Sequence, residues 1–184
     1  MEKLDRFVAM LTAESALQNL VAKPSLEVVW QRHIADSAQL LEYFPRETGR
    51  WLDLGTGAGL PGVIIAIMRP EWPVMLVESR RRRIEWLLRV TGELELPYCQ
   101  VIGKRLEQVE TVPVSVISAR AFAPLATILD LSARFSTSET VWLLPKGRSA
   151  AQELNALDTK QKQLFHVKQS VTDRESGIIV GKLS

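Results

Sequence analysis

Hydrophobic positions in the first part of the chain follow the spacing of helices. Leu4, Phe7 and Leu11 recur at intervals of three and four residues, which places them on one face of a helix. Pro24 interrupts this pattern, and a second helical stretch is predicted from about residue 26 to residue 43. We therefore predict a helical extension over residues 1–48, because the chain changes character near Gly49.

Short apolar runs alternate with helical runs in the remainder of the chain. The predicted strands are Arg50–Leu54, Val74–Val77, Tyr98–Ile102, Val114–Ala119 and Val141–Leu144. The predicted helices between them are Pro61–Arg69, Arg80–Thr91, Ala123–Ser132 and Ala150–Leu157. Strands that alternate with helices through short loops are typical of an α/β fold whose parallel sheet is covered on both faces. Residues 49–184 are therefore predicted to form one such domain.

The C-terminal part departs from this alternation. Gln163–Val171 and Gly177–Lys182 are two β-prone runs with too few residues between them for a crossover helix. Parallel neighbours need a connection of about a dozen residues or more, so these runs should pair antiparallel. The prediction is a mostly parallel seven-stranded sheet that ends in an antiparallel hairpin.

Composition narrows the class of protein. Hydrophobic residues make up 46% of the 184 residues and charged residues 24%, which is ordinary globular usage and excludes a disordered chain. One cysteine and two histidines are too few for an internal disulfide or a zinc or iron–sulfur cage. The longest uncharged run, residues 54–68, is too short to span a bilayer, and the N-terminus lacks an apolar signal core. We expect a cytoplasmic protein without a bound metal.

The strongest motif is the glycine-rich run from Asp53 to Gly62, which follows a predicted strand and opens a helix. Its alternate glycines, Gly55, Gly57 and Gly59, lack a Cβ and let the backbone approach a ligand closely. In open α/β sheets, ligands bind at this edge, outside the carboxyl ends of the strands. These three glycines are therefore candidate cofactor-binding residues.

Two cofactors compete for this loop. The spacing from Gly57 onward satisfies the G-x-G-x-x-G pattern of dinucleotide-binding proteins. Asp53, however, is unfavourable beside a pyrophosphate and favourable beside the ammonium group of an amino acid. Glu78, at the end of the second strand, can accept hydrogen bonds from the ribose hydroxyls of either cofactor. The combination favours S-adenosylmethionine, while a small NAD-dependent oxidoreductase and a non-catalytic RNA-binding module stay open as alternatives.

The glycine-rich run, together with three further motifs, resembles the glucose-inhibited-division B family of bacterial 16S rRNA guanine-N7 methyltransferases. The further motifs are Arg32-His33-Ile34, Arg120-Ala121-Phe122 and Leu144-Pro145-Lys146-Gly147. The resemblance implies a Rossmann-like class I methyltransferase that transfers the methyl group of S-adenosylmethionine to N7 of a guanine in the 530 loop. The implied partner is 16S rRNA in the small ribosomal subunit or its precursor, and we expect a monomer with no membrane partner.

The resemblance also implies roles for individual residues. Gly55, Leu60, Leu106 and Glu107 would line the cofactor, and Arg120 would be the catalytic residue where the cofactor meets the target base. Guanine N7 carries a lone pair and no proton, so the reaction requires neither a general base nor a covalent nucleophile. Cys99, inside a predicted strand, is accordingly interpreted as a buried apolar residue.

Three aromatic or polar residues near these motifs allow two interpretations each. Phe122 would either stack on the extruded base or pack in the core. His33 and Asp36, three residues apart on a helix, could form a catalytic pair, but a reaction without proton transfer favours hydrogen bonds from the helix to the core.

A run of four arginines, Arg80 to Arg83, opens the helix after the second strand. Its predicted apolar stripe consists of Ile84, Leu87, Leu88 and Thr91, which leaves a basic face around Trp86 directed away from the core. The predicted RNA-binding residues are Arg82, Arg89, Arg105, Lys146 and Arg148. The alternative is a solvated helix face whose arginines pair with neighbouring glutamates. The net charge of +2 is too small to decide between them.

Overall fold

Seven strands form one sheet in the order β3-β2-β1-β4-β5-β7-β6 in the computed structural model of the protein, which describes residues 1–44 and 49–183. The strands are β1 (Trp51–Leu54), β2 (Val74–Val77), β3 (Cys99–Ile102), β4 (Val116–Ala119), β5 (Val141–Lys146), β6 (Phe165–Gln169) and β7 (Gly177–Gly181). The first five pair parallel, whereas β7 pairs antiparallel with both β5 and β6. The predicted architecture, including the terminal hairpin, is confirmed.

Helices connect the parallel strands and cover both faces of the sheet. They are α4 (Gly62–Met68), α5 (Arg81–Glu93), α6 (Leu125–Ser132) and α7 (Ala150–Asn155), while a single 3-10 turn, Leu106–Gln108, lies between β3 and β4. In β1, Trp51 packs into one hydrophobic layer, and Leu52 and Leu54 pack into the other. This double burial is what a parallel sheet with helices on both sides requires.

One C-terminal helix differs from the prediction. Helix α8 (Thr159–Leu164) includes Gln163 and Leu164, which the sequence analysis placed in a strand. The Asp158 carboxylate caps this helix by accepting hydrogen bonds from the backbone N–H groups of Lys160 and Gln161. The strand prediction was wrong for these two residues because it overlooked the capping aspartate.

The N-terminal residues pack on the sheet rather than apart from it. Helix α1 (Glu2–Gln18) buries Leu4, Phe7 and Leu11 in the same layer as α4 and α5. The ring centroids of Phe7 and Trp86 lie 6.4 Å apart. The predicted domain boundary between residues 48 and 49 adjoins residues 45–48, which lie outside the described residues, and the division into two domains stays a prediction.

The sequence predicts one helix for the second helical stretch, but the structure divides this stretch into four short elements. It consists of α2 (Lys23–Leu26), a π-helical turn at Trp30–Ala35, α3 (Asp36–Ala38) and a 3-10 turn at Gln39–Tyr43. Two consecutive residues of the π-helical turn, His33 and Ile34, are buried. Within residues 1–44 and 49–183, no helix has the length and apolar character needed to cross a membrane.

Candidate active site

The loop after β1 bends sharply at its first glycine. Gly55 has a φ angle of +59°, which glycine adopts at low cost, and a Cβ at this position would overlap the ring of Phe122. The absence of a side chain therefore lets the loop lie directly against Phe122. The backbone of the loop therefore packs against Phe122 at the carboxyl end of β1.

Asp53 lies beneath this loop and not in it. Its carboxylate accepts hydrogen bonds from the Gly62 N–H group, at 3.0 Å, and from the Ser118 hydroxyl, at 2.6 Å. Complete burial raises the pKa of Asp53 to about 6, although these hydrogen bonds lower it. The carboxylate joins the start of α4 to β4 and does not line the pocket described below. The expectation that Asp53 would face the ammonium group of a cofactor was therefore wrong.

A pocket of about 470 Å³ opens at the carboxyl ends of β1, β2 and β4. It is lined by all but one of the predicted cofactor-binding residues: Gly55, Gly57, Leu60, Glu78, Leu106, Glu107 and Arg120. The exception is Gly59, where an added Cβ would overlap Val63 and whose N–H group donates to the Thr56 carbonyl at 2.8 Å. Gly59 therefore packs behind the loop and does not line the pocket, while its predicted role in cofactor binding stays a prediction. The binding roles of the other residues stay predictions.

Glu78 joins the loop to the end of β2. Its carboxylate accepts hydrogen bonds from the backbone N–H groups of Gly57, Ser79 and Arg80, at 3.2, 2.7 and 2.9 Å. The residue is buried, but it lines the pocket. A carboxylate offers about four acceptor positions, so Glu78 retains capacity for a ligand hydroxyl. The alternative, a surface carboxylate paired with the side chains of the following arginines, is not what the structure shows.

Four cations line one side of the pocket. They are Arg80, Arg83, Lys104 and Arg105. Arg83, which the sequence analysis did not single out, lies beside Gly57. It precedes the buried residues Trp86 and Leu87 of α5 by three and four positions, and this spacing places Arg83 on the inward-facing side of the helix. This spacing identifies Arg83 only once the buried face of α5 is known, and the sequence analysis assigned that face incorrectly.

The predicted orientation of α5 was wrong by about one residue. Leu88, expected in the core, is 55% exposed, whereas Trp86, expected on an outward basic face, is only 1% exposed. The Trp86 indole donates a hydrogen bond to the Ala58 carbonyl at 3.1 Å. Arg89 lies over the Trp86 ring and forms an ion pair with Glu14 of α1. The large indole, with one polar group that needs a partner, determines which face is buried.

The remaining predicted RNA contacts have different surroundings. Lys146 is almost fully buried, and its ammonium group lies 2.8 Å from the Glu153 carboxylate and donates to the Ala123 carbonyl. Its prediction as a surface cation was wrong, because it forms an internal ion pair. Arg148 is exposed and pairs with Glu175, and Arg82 is exposed at the start of α5. For Arg82, Arg89, Arg105 and Arg148, RNA binding stays a prediction.

Arg120 follows β4 and projects into the pocket from the side of the N-terminal segment. Its guanidinium nitrogens lie 3.2 Å from Nδ1 of His33, 3.4 Å from the Arg32 carbonyl oxygen and 3.6 Å from the Asp36 carboxylate. Burial lowers the pKa of Arg120, and the neighbouring carboxylates of Asp36 and Asp53 oppose this effect. His33 and Asp36 were expected to form hydrogen bonds from the helix to the core. Asp36 does accept a hydrogen bond from the buried Thr172, but both residues also meet at Arg120, at the edge of the pocket.

Phe122 and Cys99 complete the predicted set. Phe122 lines the pocket and also packs against the hydrophobic layer beneath it, so one ring occupies the core and the pocket wall together. Cys99 is buried in β3, where loss of solvation raises the pKa of its thiol to about 12. Such a thiol is a poor nucleophile, as the sequence analysis expected.

Comparisons with known proteins agree with one another. The family model described as GidB, rRNA small subunit methyltransferase G, matches residues 1–177. A protein of Erythrobacter litoralis, named ribosomal RNA small subunit methyltransferase G, is 60% identical over 182 residues, which cover 99% of this chain and 88% of that protein. A protein of the same name from Sphingopyxis alaskensis is 56% identical over 180 residues, covering 97% and 77%.

Solved structures share the fold at low sequence identity. A SAM-dependent methyltransferase from Aquifex aeolicus aligns with a TM-score of 0.63 at 14% identity, over 84% of this chain and 91% of that one. A mutant of MtNAS in complex with S-adenosylmethionine aligns with a TM-score of 0.61 at 18% identity, over 95% and 72%. These likenesses establish a fold of the class I methyltransferase type.

Proposed function

The chain belongs to the rRNA small subunit methyltransferase G family, and from this premise we propose that it transfers the methyl group of S-adenosylmethionine to N7 of a guanine in the 530 loop of 16S rRNA. The observation that carries the proposal is the pocket at the carboxyl ends of the parallel strands. Glycine backbone and Glu78 form a first group of lining residues, and Arg120 and Phe122, whose ring lies against Gly55, form a second.

The first group of lining residues fits the cofactor. The volume of about 470 Å³ lies within the usual range of small-molecule sites. Gly55 and Gly57 present backbone without side chains, and Glu78 keeps acceptor capacity for one ribose hydroxyl after binding three N–H groups. Leu106 and Glu107, in the turn after β3, would lie near the adenine. When bound, S-adenosylmethionine would supply a sulfonium methyl group that a nucleophile's lone pair can attack, with the neutral thioether as the leaving group.

The second group of lining residues, Arg120 and Phe122, fits a guanine. Its O6 atom accepts hydrogen bonds beside N7, and the Arg120 guanidinium offers donors of matching geometry. The half-buried ring of Phe122 offers a surface on which an extruded base could stack. Because N7 has no proton to lose, these residues need only hold the base in line with the methyl group. Orientation of this kind supplies up to about 7–11 kcal/mol in favourable reactions.

The two alternatives from the sequence are weaker. Asp53 no longer argues against a dinucleotide, because it lies beneath the loop, so the choice of cofactor depends on the family match instead. A dehydrogenase finds no support among the relatives, which are named as methyltransferases. A non-catalytic RNA-binding module differs from the proposal in one measurable respect, which is turnover.

A methyl-transfer assay tests the proposal directly. The protein is incubated with S-adenosylmethionine labelled in the methyl group and small ribosomal subunits that lack the modification. The rRNA is then reduced, cleaved with aniline at N7-methylguanine and mapped by primer extension. We expect label in 16S rRNA and one new cleavage site in the 530 loop, with none in large subunits. Absence of label, or label elsewhere, would contradict the proposal.

A further inference from the structure

The ring of His33 is held at both nitrogens, and the partners determine where its proton lies. The Ser25 hydroxyl lies 2.6 Å from the Ala22 carbonyl oxygen and 2.8 Å from Nε2 of His33. A carbonyl only accepts and a hydroxyl has one proton, so Ser25 donates to Ala22. It must then accept from His33, which places the imidazole proton on Nε2.

The second nitrogen fits the same assignment. Nδ1 of His33 lies 3.2 Å from a guanidinium nitrogen of Arg120, and guanidinium groups donate but never accept. Nδ1 must therefore carry a lone pair. The tautomer that Ser25 requires on one side of the ring is the tautomer that Arg120 requires on the other.

We propose that His33, as the neutral tautomer protonated on Nε2, is the positioning residue that fixes the direction of the Arg120 guanidinium at the target-base side of the pocket. The proposal deepens the function proposed above and depends on it for the role of Arg120. The guanidinium carries five N–H donors in a rigid plane. His33, the Arg32 carbonyl and Asp36 hold one part of that plane, so the other donors are available to the pocket.

Electrostatics supports the neutral ring. Burial, Arg120 and Arg32 together lower the pKa of His33 to about 4, so the ring carries no charge near pH 7. The Asp36 carboxylate lies 3.6 Å from the other terminal nitrogen of the guanidinium and balances its charge. A protonated ring would direct an N–H group at the guanidinium and would remove the acceptor that Arg120 uses.

The turn between β6 and β7 holds the segment that carries His33. Gln31 donates to the Thr172 carbonyl at 2.7 Å, and Arg32 pairs with Asp173 at 2.7 Å. The Thr172 hydroxyl donates to Asp36, also at 2.7 Å. The π-helical turn is therefore fixed on the side facing the hairpin, and His33 is presented to Arg120 from a rigid support.

The tautomer can be measured without any assay of activity. The chain has only two histidines, and His166 is exposed on β6, so a His166→Asn variant assigns the ring resonances. Long-range proton–nitrogen NMR spectra at pH 7 should show His33 protonated at Nε2 and bare at Nδ1. A ring protonated at Nδ1, at both nitrogens or in fast exchange between tautomers would overturn the proposal, whether or not the protein methylates RNA.

A pair of isosteric variants tests the positioning role. His33→Asn carries its amide oxygen near the place of Nδ1, whereas His33→Gln places its amide near Nε2. We expect kcat on small subunits to fall about 10- to 100-fold in His33→Gln and His33→Asn to recover most of that loss, with the KM for S-adenosylmethionine unchanged in both.

The exposed His166→Asn variant is the control and should keep the wild-type kcat. Equal kcat values for His33→Asn and His33→Gln, whether high or low, would overturn the positioning role. If the proposed function itself is wrong, the wild-type protein has no activity in this assay, and the NMR experiment still decides the tautomer. The two failures are therefore distinguishable.

Discussion

Arg120 is the residue at which the N-terminal segment meets the carboxyl end of the sheet. Its side chain is 22% exposed, and its guanidinium contacts groups of Arg32, His33 and Asp36. All three partners lie in one helical segment that the chain forms before the first strand. The motif around Arg32 and the motif around Arg120, far apart in sequence, are therefore parts of one site.

Replacing Arg120 tests its catalytic role. We expect Arg120→Ala to lower kcat on small subunits by about 100-fold or more, because loss of orientation at the reacting base is costly. Asp36 keeps hydrogen bonds from Gln39 and Thr172, so the fold should survive. Circular dichroism should show a cooperative melt, and turnover near the wild-type value would remove Arg120 from the site.

Asp53 makes a prediction about pH and stability. Burial raises the pKa of Asp53 to about 6, so the folded state holds the proton of this carboxyl more tightly than the unfolded state does. The contribution of Asp53 to the free energy of unfolding therefore falls as the pH rises from about 4 to about 6. Asp53→Asn cannot titrate. Its free energy of unfolding relative to wild type should therefore rise by about 1–3 kcal/mol between pH 4 and pH 7, measured by urea denaturation. Parallel stability profiles would contradict this.

Single residues divide into those that the sequence could place and those that it could not. Glu78, Gly55 and Gly57 lie at the pocket as predicted, because their positions follow from strand ends, which the apolar pattern marks. Asp53 was misplaced, since its partners, Gly62 and Ser118, come from two other elements. The direction of a side chain at a strand end depends on such contacts and not on local spacing.

Helix α5 shows the limit of periodicity at the scale of one element. Both Leu88 and Trp86 fit an amphipathic pattern, depending on which face is taken as buried. The structure selects Trp86, because its indole reaches the Ala58 carbonyl and its ring packs near Phe7 of α1. A partner helix distant in sequence therefore decided the rotation of α5.

Two neighbouring leucines provide a matched test of this rotation. Leu87 is fully buried and Leu88 is 55% exposed. Leu87→Ala should lower the free energy of unfolding by about 2–5 kcal/mol, whereas Leu88→Ala should change it by about 0.5 kcal/mol or less. Urea denaturation measures both. Comparable losses in the two variants, or a greater loss at Leu88, would show that the predicted stripe was right after all.

The N-terminal segment was predictable as helical but not in its form. The segment contains a π-helical turn, whose hydrogen bonds span one residue more than those of an α-helix. A hydrophobic pattern that assumes a regular α-helix therefore cannot assign the buried face correctly on both sides of this turn. His33 and Ile34, both in this turn, are buried. A polar residue beside an apolar one on the inner face has no signature in a hydrophobic pattern.

At the scale of the whole molecule, the alternation of strands and helices was enough to predict the sheet. All five parallel strands and both strands of the antiparallel hairpin overlap the predicted apolar runs, although β6 begins at Phe165 and not at Gln163. The prediction of RNA-binding residues was less accurate, because pairing with acidic residues depends on tertiary contacts. Lys146 and Arg89 have carboxylate partners, Glu153 and Glu14, on other elements.

The four cations that line the pocket in addition to Arg120 predict a salt dependence for RNA binding. If Arg80, Arg83, Lys104 and Arg105 contact about three or four phosphates, the logarithm of affinity should fall against the logarithm of salt concentration with a slope of about −2 to −4. Arg105→Ala should make this slope shallower by about 1. Arg69→Ala, at the end of α4 away from the pocket, is the control and should leave the slope unchanged. An affinity that does not depend on salt concentration would exclude these four cations as RNA contacts.

A crystal structure of the protein soaked with S-adenosylhomocysteine, the demethylated product, tests the central claim most directly. We predict electron density in the pocket, with a ribose hydroxyl within hydrogen-bond distance of Glu78 and the amino-acid part beside Gly55. Density at another site, or an empty pocket at a saturating concentration of the product, would contradict the account.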